Sequence, residues 1–381
     1  MNIAFIFEFG APGGDWNEDS LISALAERLP GLRARRIHGV FNTYRPGGLQ
    51  AWRLINFLAV YARVFFLMLG GRLDAVVVRS TPPGIQLWTT WLARRRKIPV
   101  IYWLMDSHPE LEARALERRG WKWLAQVLRR ADARALESMT AIVTLDESMA
   151  ELVRVAAPAA PLIVHPTWGV SGEKAYDPIA YIPGSEDGAR RFAYAGNLGA
   201  AHDPATFIRV LSAVRAQGRV ELHVIGAPES AKARLQPLAD AGVKVRYHPR
   251  VPFNELKEVF QRLRLDVGVV ILDEASAGLL SPSKFSAYLK FGLPVLYIGP
   301  KKTNTDVICT RFGGGWRLPN GANASDIASA AARIWDAPAW PTVRKNLEQA
   351  ARYFGAFNEH SLAEALVPCL KRLAQPGSNQ P

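Results

Sequence analysis

The stretch Ser281–Leu296, SPSKFSAYLKFGLPVL, decides how the rest of the chain is read. Proline has a preset φ and no N–H, so Pro282 suits a helix start. Seven residues after Lys284, Phe291-Gly292-Leu293-Pro294 stops that helix and re-enters a continuous apolar strand, LPVLYIG (Leu293–Gly299). A strand apolar on both faces belongs in a parallel sheet covered on both sides by helices. Pro-Ser-Lys at the helix start also places backbone N–H groups, a hydroxyl and an ammonium at one point, which suits an anion.

The same alternation runs outward in both directions. Toward the N-terminus lie the strands LDVGVVIL (Leu265–Leu272), VELHVIG (Val220–Gly226) and RFAYAG (Arg191–Gly196), each followed by a helical pattern. KVRYHPRV leads into a helix at PFNELKEVFQRL. GGGWRL, a helix from Ala324 and a helical tail from Trp340 follow the central stretch. Residues 169–190, rich in Gly, Pro, Ser and charge without apolar periodicity, read as a linker. Before them the pattern repeats: IAFIFEF (Ile3–Phe9), DAVVVRS (Asp74–Ser80), PVIYWLMDSHPE (Pro99–Glu110), TAIVTL (Thr140–Leu145) and PLIVHPTW (Pro161–Trp168), with helices between. Repeated βα units imply parallel sheets. The expected architecture is α/β: a Rossmann-like domain over 1–170, a linker over 171–190, a second Rossmann-like domain over 191–340, and helices over 341–381 packing back toward the first domain. Ligands in such sheets bind outside the carboxyl ends of the strands, and every candidate residue named below sits at such an end.

The chain has 381 residues, 49% of them hydrophobic and 21% charged, with a mean hydropathy near zero; this fits a soluble globular protein of two domains. Its two cysteines, Cys309 and Cys369, form no CxxC and fit a reducing cytosol. The N-terminus has no basic leader region and reads as a first strand. The net charge of +13 is uneven: Arg28–Arg134 holds 20 basic and six acidic residues. Three explanations stand for that excess: an anionic membrane surface, solvated helix faces, or nucleic acid, for which no recognition motif is present. Trp52–Leu69, WRLINFLAVYARVFFLML, is nearly long enough to span a bilayer, yet Arg53, Asn56 and Arg63 interrupt it, and a central Arg costs about 2.5–3.5 kcal/mol there. A packed helix, an interfacial helix and a spanning helix remain open.

The central stretch resembles the PSK-x-x-x-Y-x-x-x-G-x-P signature of family 4 retaining glycosyltransferases of the GT-B fold, in the bacterial branch that builds lipid-linked and surface polysaccharides. YAGNLGAAHDPATFI (Tyr194–Ile208), HVIGAPES and HPRVPFNELKEVF resemble further segments of that branch, and RSTPPG and MDSHPE resemble two N-terminal strand ends. The resemblance is strong over 192–300 and diffuse over 1–170. It implies two Rossmann-like domains facing across a cleft. Ser283 and Lys284 would hold the leaving diphosphate. Gly196 and Asn197 would let the backbone approach the phosphates, and Gly226, Arg250 and Val251 would line the nucleoside pocket. Glu274 reads either as a contact to a ligand hydroxyl or as loop surface. Tyr288 would pack the helix. Gly13 and Gly14 would form a glycine loop facing donor and acceptor, with Trp16 beside it as an acceptor platform. Asp106 and His108 are the catalytic candidates, although Asp106 also reads as a helix cap.

This sequence departs from the family in two places. Ala287 precedes Tyr288 where many members carry one of two paired glutamates. The glycine turn reads NLGAAHD, without the Arg and Lys that many relatives place there. The implied reaction is transfer of a sugar with retention from a nucleoside-diphosphate sugar to a lipid-linked or polysaccharide acceptor. It would run without metal or cofactor, since no Asp-x-Asp is present and fixed donors would offset the diphosphate charge. The implied setting is cytoplasmic, peripheral on the inner membrane face, with other pathway enzymes as further partners and nucleic acid disfavoured. The alternatives are a nucleotide-sugar 2-epimerase of the same architecture and a non-catalytic partner subunit. His165 and His202 read as structural, and Asp15, Glu18 and Asp19 as a solvated helix start.

Overall fold

A computed structural model describes residues 1–8, 16–40, 50–70, 72–168, 176–179, 188–199 and 201–374. By packing, the chain divides into two units: Met1–Ser171 with Gly278–Ser281 and Phe357–Pro381, and Gly172–Ala277 with Pro282–Ala356.

The first unit runs β1 (Asn2–Ile6), α1 (Trp16–Arg28), β2 (Arg33–Ile37), α2 (Gln50–Gly70), β3 (Ala75–Arg79), α3 (Ile85–Arg95), β4 (Val100–Leu104), α4 (His108–Arg118), α5 (Lys122–Glu137), β5 (Ala141–Thr144), α6 (Glu147–Ala156) and β6 (Leu162–Val164). The six strands are all parallel, in the order β2-β1-β3-β4-β5-β6. Their apolar side chains alternate between two cores. Ala4, Ile6, Val76, Val78, Tyr102 and Ile142 face α2, α3 and α5, while Ile3, Phe5, Val77, Trp103 and Val143 face α1. Between β4 and β5 the chain forms two helices, α4 and α5, because Gly120 takes φ +85° and lets it turn. The sequence reading had no strand at RARRI, Arg33–Ile37. Its first four residues are exposed, and only main-chain pairing to β1 makes it a strand.

The second unit runs β7 (Arg190–Ala195), α7 (Pro204–Gln217), β8 (Val220–Ile225), α8 (Ser230–Asp240), β9 (Lys244–His248), α9 (Leu256–Arg262), β10 (Val267–Ile271), α10 (Phe285–Lys290), β11 (Val295–Ile298), α11 (Asn304–Thr310), β12 (Gly315–Leu318), α12 (Ala324–Trp335) and α13 (Trp340–Gly355). Its sheet is parallel, in the order β12-β11-β10-β7-β8-β9. Capping matches the chemistry of the sequence: Asp203 accepts from the Thr206 N–H at 3.1 Å to start α7, and Asn323 accepts from Asp326 at 2.8 Å to start α12. The helix expected near Pro282 begins at Phe285, with Lys284 at its N-cap position.

Of the 171–190 stretch read as linker, 176–179 is described, and it packs into the second unit: the Asp177 and Ile179 N–H groups donate to Lys290 and Phe291. Of the C-terminal stretch 341–381, α13 counts with the second unit. The last helix, α14 (Glu359–Ala374), counts with the first, where Leu362, Leu366 and Leu370 join Leu21 and Leu25 of α1 in one core.

Candidate functional site

In the second unit the strand order reverses direction between β7 and β10, since β8 and β9 lie on one side of β7 while β10, β11 and β12 lie on the other. Adjacent connections leave to opposite faces at such a point and open a crevice at the strand ends. Lys284 sits there. Its Nζ donates to the Tyr194 hydroxyl at 2.9 Å and lies 4.1 Å from the Tyr194 ring centroid. Among the described residues no carboxylate pairs with it, and burial pushes its ammonium down from 10.5 to about 7. Tyr194 in turn donates to the Asn197 carbonyl at 2.9 Å, so the lysine, the tyrosine and the turn after β7 form one chain of contacts.

That turn depends on Gly196. Its φ is +105°, a region that side chains other than glycine rarely adopt, while a Cβ would meet Lys284 Cε only at 3.7 Å. Conformation, not space, demands the glycine. The carbonyls of Leu198 and Gly199 accept from Arg234 of α8, at 2.6 and 2.8 Å. The turn therefore has a basic residue after all, supplied from 36 residues away and spent on holding the loop. His202 stacks edge-on against Tyr194, and its Nδ1–H donates to the Gly199 carbonyl; burial and then Lys284 push it down to about 4.

At the end of β8, Gly226 takes φ +73°, and a Cβ there would come within 3.2 Å of the Arg250 Cα. Gly226 and Arg250 are thus neighbours, with Val251 next to them in the chain; the Arg250 side chain is exposed. Ser283 and Asn197 are exposed as well. Glu274 is exposed at the start of a 3-10 turn, and among the described residues it joins none of the contacts around Lys284. Tyr288 is fully buried and bonds to the backbone of β7, so it is part of the frame.

The first sheet has its own switch point, between β1 and β3. Asp106 follows β4, and its N–H donates to the Ser80 hydroxyl at 3.1 Å. Burial raises the Asp106 carboxyl above its usual range, opposed by His108, Arg79 and Arg53. The cap position of α4 is Ser107, not Asp106, so the helix-cap reading of Asp106 does not hold. His108 Nδ1 lies 3.0 Å from Glu112 Oε1, which orients the ring and leaves Nε2 as its other nitrogen. Asp106 bridges to Leu280, and the Ser107 N–H donates to Leu279 at 2.8 Å, so Gly278–Ser281 is held beside the two catalytic candidates.

Sequence reasoning missed the charged group beside Asp106. Glu8, at the end of β1, is buried and accepts from Arg53 at 3.1 Å, and burial still raises its carboxyl. Glu18 is only 4% exposed and pairs with Arg79, whose guanidinium lies 5.7 Å from the Trp103 ring. Glu18 is therefore not part of a solvated helix start, whereas Asp19 is, pairing with Arg36 at the surface. The strand-end position of Glu8 and Arg79 was the available signal. Gly13 and Gly14 lie outside the described residues; Trp16 opens α1, and its side chain lies outside them too. His165 is structural: Nδ1–H donates to the Pro166 carbonyl and Nε2 meets Ser361 Oγ, each at 2.9 Å.

Two doubly wound parallel sheets, each with polar groups gathered at its switch point, is an architecture that can be compared with known proteins. No protein-family model and no curated protein sequence matches the chain. Solved structures do. The chain has the GT-B fold. It is similar to HepE from Anabaena, solved with UDP, at 14% identity and a TM-score of 0.63 over 98% of this chain and 100% of that one. A glycosyltransferase of Rickettsia africae matches at 11% identity and 0.61 over 99% of each chain. WaaG, a glycosyltransferase involved in lipopolysaccharide biosynthesis, matches at 14% and 0.59 over 97% and 99%. At these identities the likeness concerns the fold. The two units described above are the two Rossmann-like domains of this GT-B protein.

Proposed function

We propose that this GT-B protein is a glycosyltransferase that takes a sugar from a nucleoside-diphosphate donor and passes it to a lipid-linked or polysaccharide acceptor. The observation that carries the reading is Lys284: an ammonium held over Tyr194 beside the left-handed Gly196 turn, at a switch point, with no carboxylate partner among the described residues. A cation kept without a counter-ion is poised for an anionic ligand, and a diphosphate supplies the missing charge. With Arg234 occupied by loop carbonyls, Lys284 carries the charge chemistry of the leaving group, and Arg250 borders the nucleoside. Because the similar HepE was solved with UDP, UDP is the nucleotide to test first. Asp106 and His108 act toward the acceptor hydroxyl. In this reading the transfer proceeds with retention, by fixed donors, on the cytoplasmic face of a membrane that supplies the acceptor.

A thermal-shift screen of nucleotides and nucleotide sugars on the native chain and on Lys284→Ala tests the donor half. A ligand at about 100 times its Kd stabilises by roughly 2.7 kcal/mol. The expected result is a shift with one nucleotide class, abolished by the substitution. If no nucleotide shifts the native chain, the fold serves a non-catalytic partner.

A further inference from the structure

Helix α2 carries two apolar stripes. The inner one, Val60, Val64 and Met68, is buried against the sheet, with the polar Asn56 buried on the same face. The outer one, about half a turn away around the helix, is not: Leu58 is 61%, Phe66 68% and Leu69 63% exposed, with Leu54 and Ile55 also exposed. By length and composition Trp52–Gly70 could cross a membrane. Its attachments exclude that arrangement in this fold. Arg53 bonds to Glu8, Arg63 to the His38 carbonyl at 2.5 Å, and the Met68 carbonyl accepts from Arg96 at 2.6 Å. Pulling α2 out would break these bonds and open the core.

The exposed stripe continues onto α3. Phe66 packs on Phe65, Phe65 stacks on Trp88, and Trp88 stacks on the exposed Trp91 at 5.2 Å. Arg95 lies 3.6 Å over the Trp91 ring. Beside these rings a groove of about 670 Å³ between α3 and α5 is rimmed by Arg94, Arg95 and Arg134, and Arg96 and Lys97 follow, all exposed. A broad apolar face edged by cations and aromatic rings matches a bilayer whose headgroups are anionic, since apolar side chains enter the acyl boundary while the cations stay at the phosphates. A soluble protein partner would leave this cationic rim without its counter-charges unless it brought an acidic face of its own.

We propose that the outer face of α2, with Trp91 and the arginine rim of α3 and α5, docks on an anionic lipid bilayer with α2 lying in the interface plane. Because Arg53 reaches Glu8 at the carboxyl end of β1 while Met68 meets Arg96 before β4, α2 runs alongside the sheet and its first turns lie at the end that holds Asp106. The docked face therefore delivers that strand end to the membrane surface, where a lipid-linked acceptor would present its hydroxyl. This last point rests on the proposed transferase reading; the docking itself does not.

The test is co-sedimentation of the full chain with vesicles of phosphatidylglycerol and phosphatidylethanolamine, against vesicles of phosphatidylcholine alone. Binding to the anionic vesicles, weakened by added salt and released by alkaline carbonate, is expected. The variant Leu58→Ser/Phe66→Ser/Leu69→Ser changes only exposed side chains and should lose at least about tenfold in binding. The variant Arg94→Gln/Arg95→Gln should lose most of the salt dependence. The nucleotide thermal shift should survive in both, which shows that they fold. Unchanged vesicle binding by the serine variant, no preference for anionic lipid, retention after carbonate, or a native dimer that the serine variant dissolves would each overturn the proposal. Failure of the nucleotide shift alongside intact vesicle behaviour would remove the transferase reading and leave the docking face.

Discussion

At the scale of one residue, the diphosphate proposed for Lys284 has a consequence that can be measured. In the free protein burial holds its ammonium near pKa 7, far below the ordinary 10.5. A bound diphosphate would raise it again, because an opposite charge favours the charged form. At pH 8 the free lysine is mostly neutral and the bound one protonated, so binding draws up to about one proton from solution. Affinity should be greatest below pH 7 and fall as pH rises above it. Titration calorimetry with UDP in two buffers of different ionisation heat, at pH 8, measures the uptake, and Lys284→Ala should abolish it. Tight binding by the native chain with no uptake would show that Lys284 does not meet the phosphates. Asp106 offers a second residue-scale outcome. Its raised carboxyl becomes protonated at a higher pH than an ordinary aspartate, so turnover should fall on acidification while the fold persists. Asp106→Asn should lower kcat at neutral pH by about 10²–10⁴ and flatten that acid limb. A pH profile of kcat for both proteins decides it.

At the scale of elements, one hydroxyl ties α10 to the backbone of β7. β7 and β10 pair directly at only two positions, Phe192 with Val267 and Ala193 with Gly268. Beyond them Tyr288 Oη enters the gap, accepting from the Ala195 N–H at 2.9 Å and donating to the Ala193 carbonyl at 3.0 Å. Its ring lies on Gly268, where a Cβ would be 2.3 Å from Tyr288 Cγ. The glycine inside the strand LDVGVVIL therefore marks a close approach, as such glycines often do. Tyr288→Phe leaves a buried N–H and a buried carbonyl without this partner, at a cost of about 1–3 kcal/mol. Chemical denaturation should show that loss, together with a weaker nucleotide shift, since α10 carries Lys284 at its start. An unchanged midpoint would mean that water replaces the hydroxyl. Much of this unit could be read from the sequence: its four apolar strands, the glycine turns and the PSK helix were visible. The polar edge strands, KVRYH here and RARRI in the first unit, were not, because pairing to a neighbour rather than an apolar pattern makes them strands.

Across the whole molecule, buried titrating groups set opposing pH dependences. Asp132, Asp146 and Asp266 are each raised from 3.8 to about 6, chiefly by burial. Above pH 6 each is held ionised in the fold at a cost, which is relieved as pH falls from 6 toward 4. His165, His202 and His223 are lowered from 6.5 to about 4, again chiefly by burial. Their contribution is present above 6.5 and lost as pH falls toward 4. The two sets partly cancel, so single substitutions are needed to see either one. Asp132→Asn keeps an acceptor for Gln86, which donates to Asp132 at 3.2 Å. It should stabilise the chain at pH 8 by on the order of 1 kcal/mol, with the gain vanishing by about pH 4. Thermal melts at the two pH values measure it; an equal gain at both would exclude the carboxyl as the cause.

Read from the sequence alone were the βα alternation, the parallel sheets and the helix start that follows Pro282–Lys284. These follow from apolar periodicity, from glycine and proline stereochemistry and from the groups a short motif carries, all of which are local. Tertiary structure decided the rest. It placed Tyr194 under Lys284 and Arg234 under the Gly196 turn, buried Glu8 against Arg53 and Glu18 against Arg79, and left one stripe of α2 uncovered while it buried the other. Those outcomes depend on which distant side chains arrive at the same point and on what solvent is then excluded. A linear pattern does not encode them, because burial and counter-charge are properties of the packed neighbourhood and not of the residue.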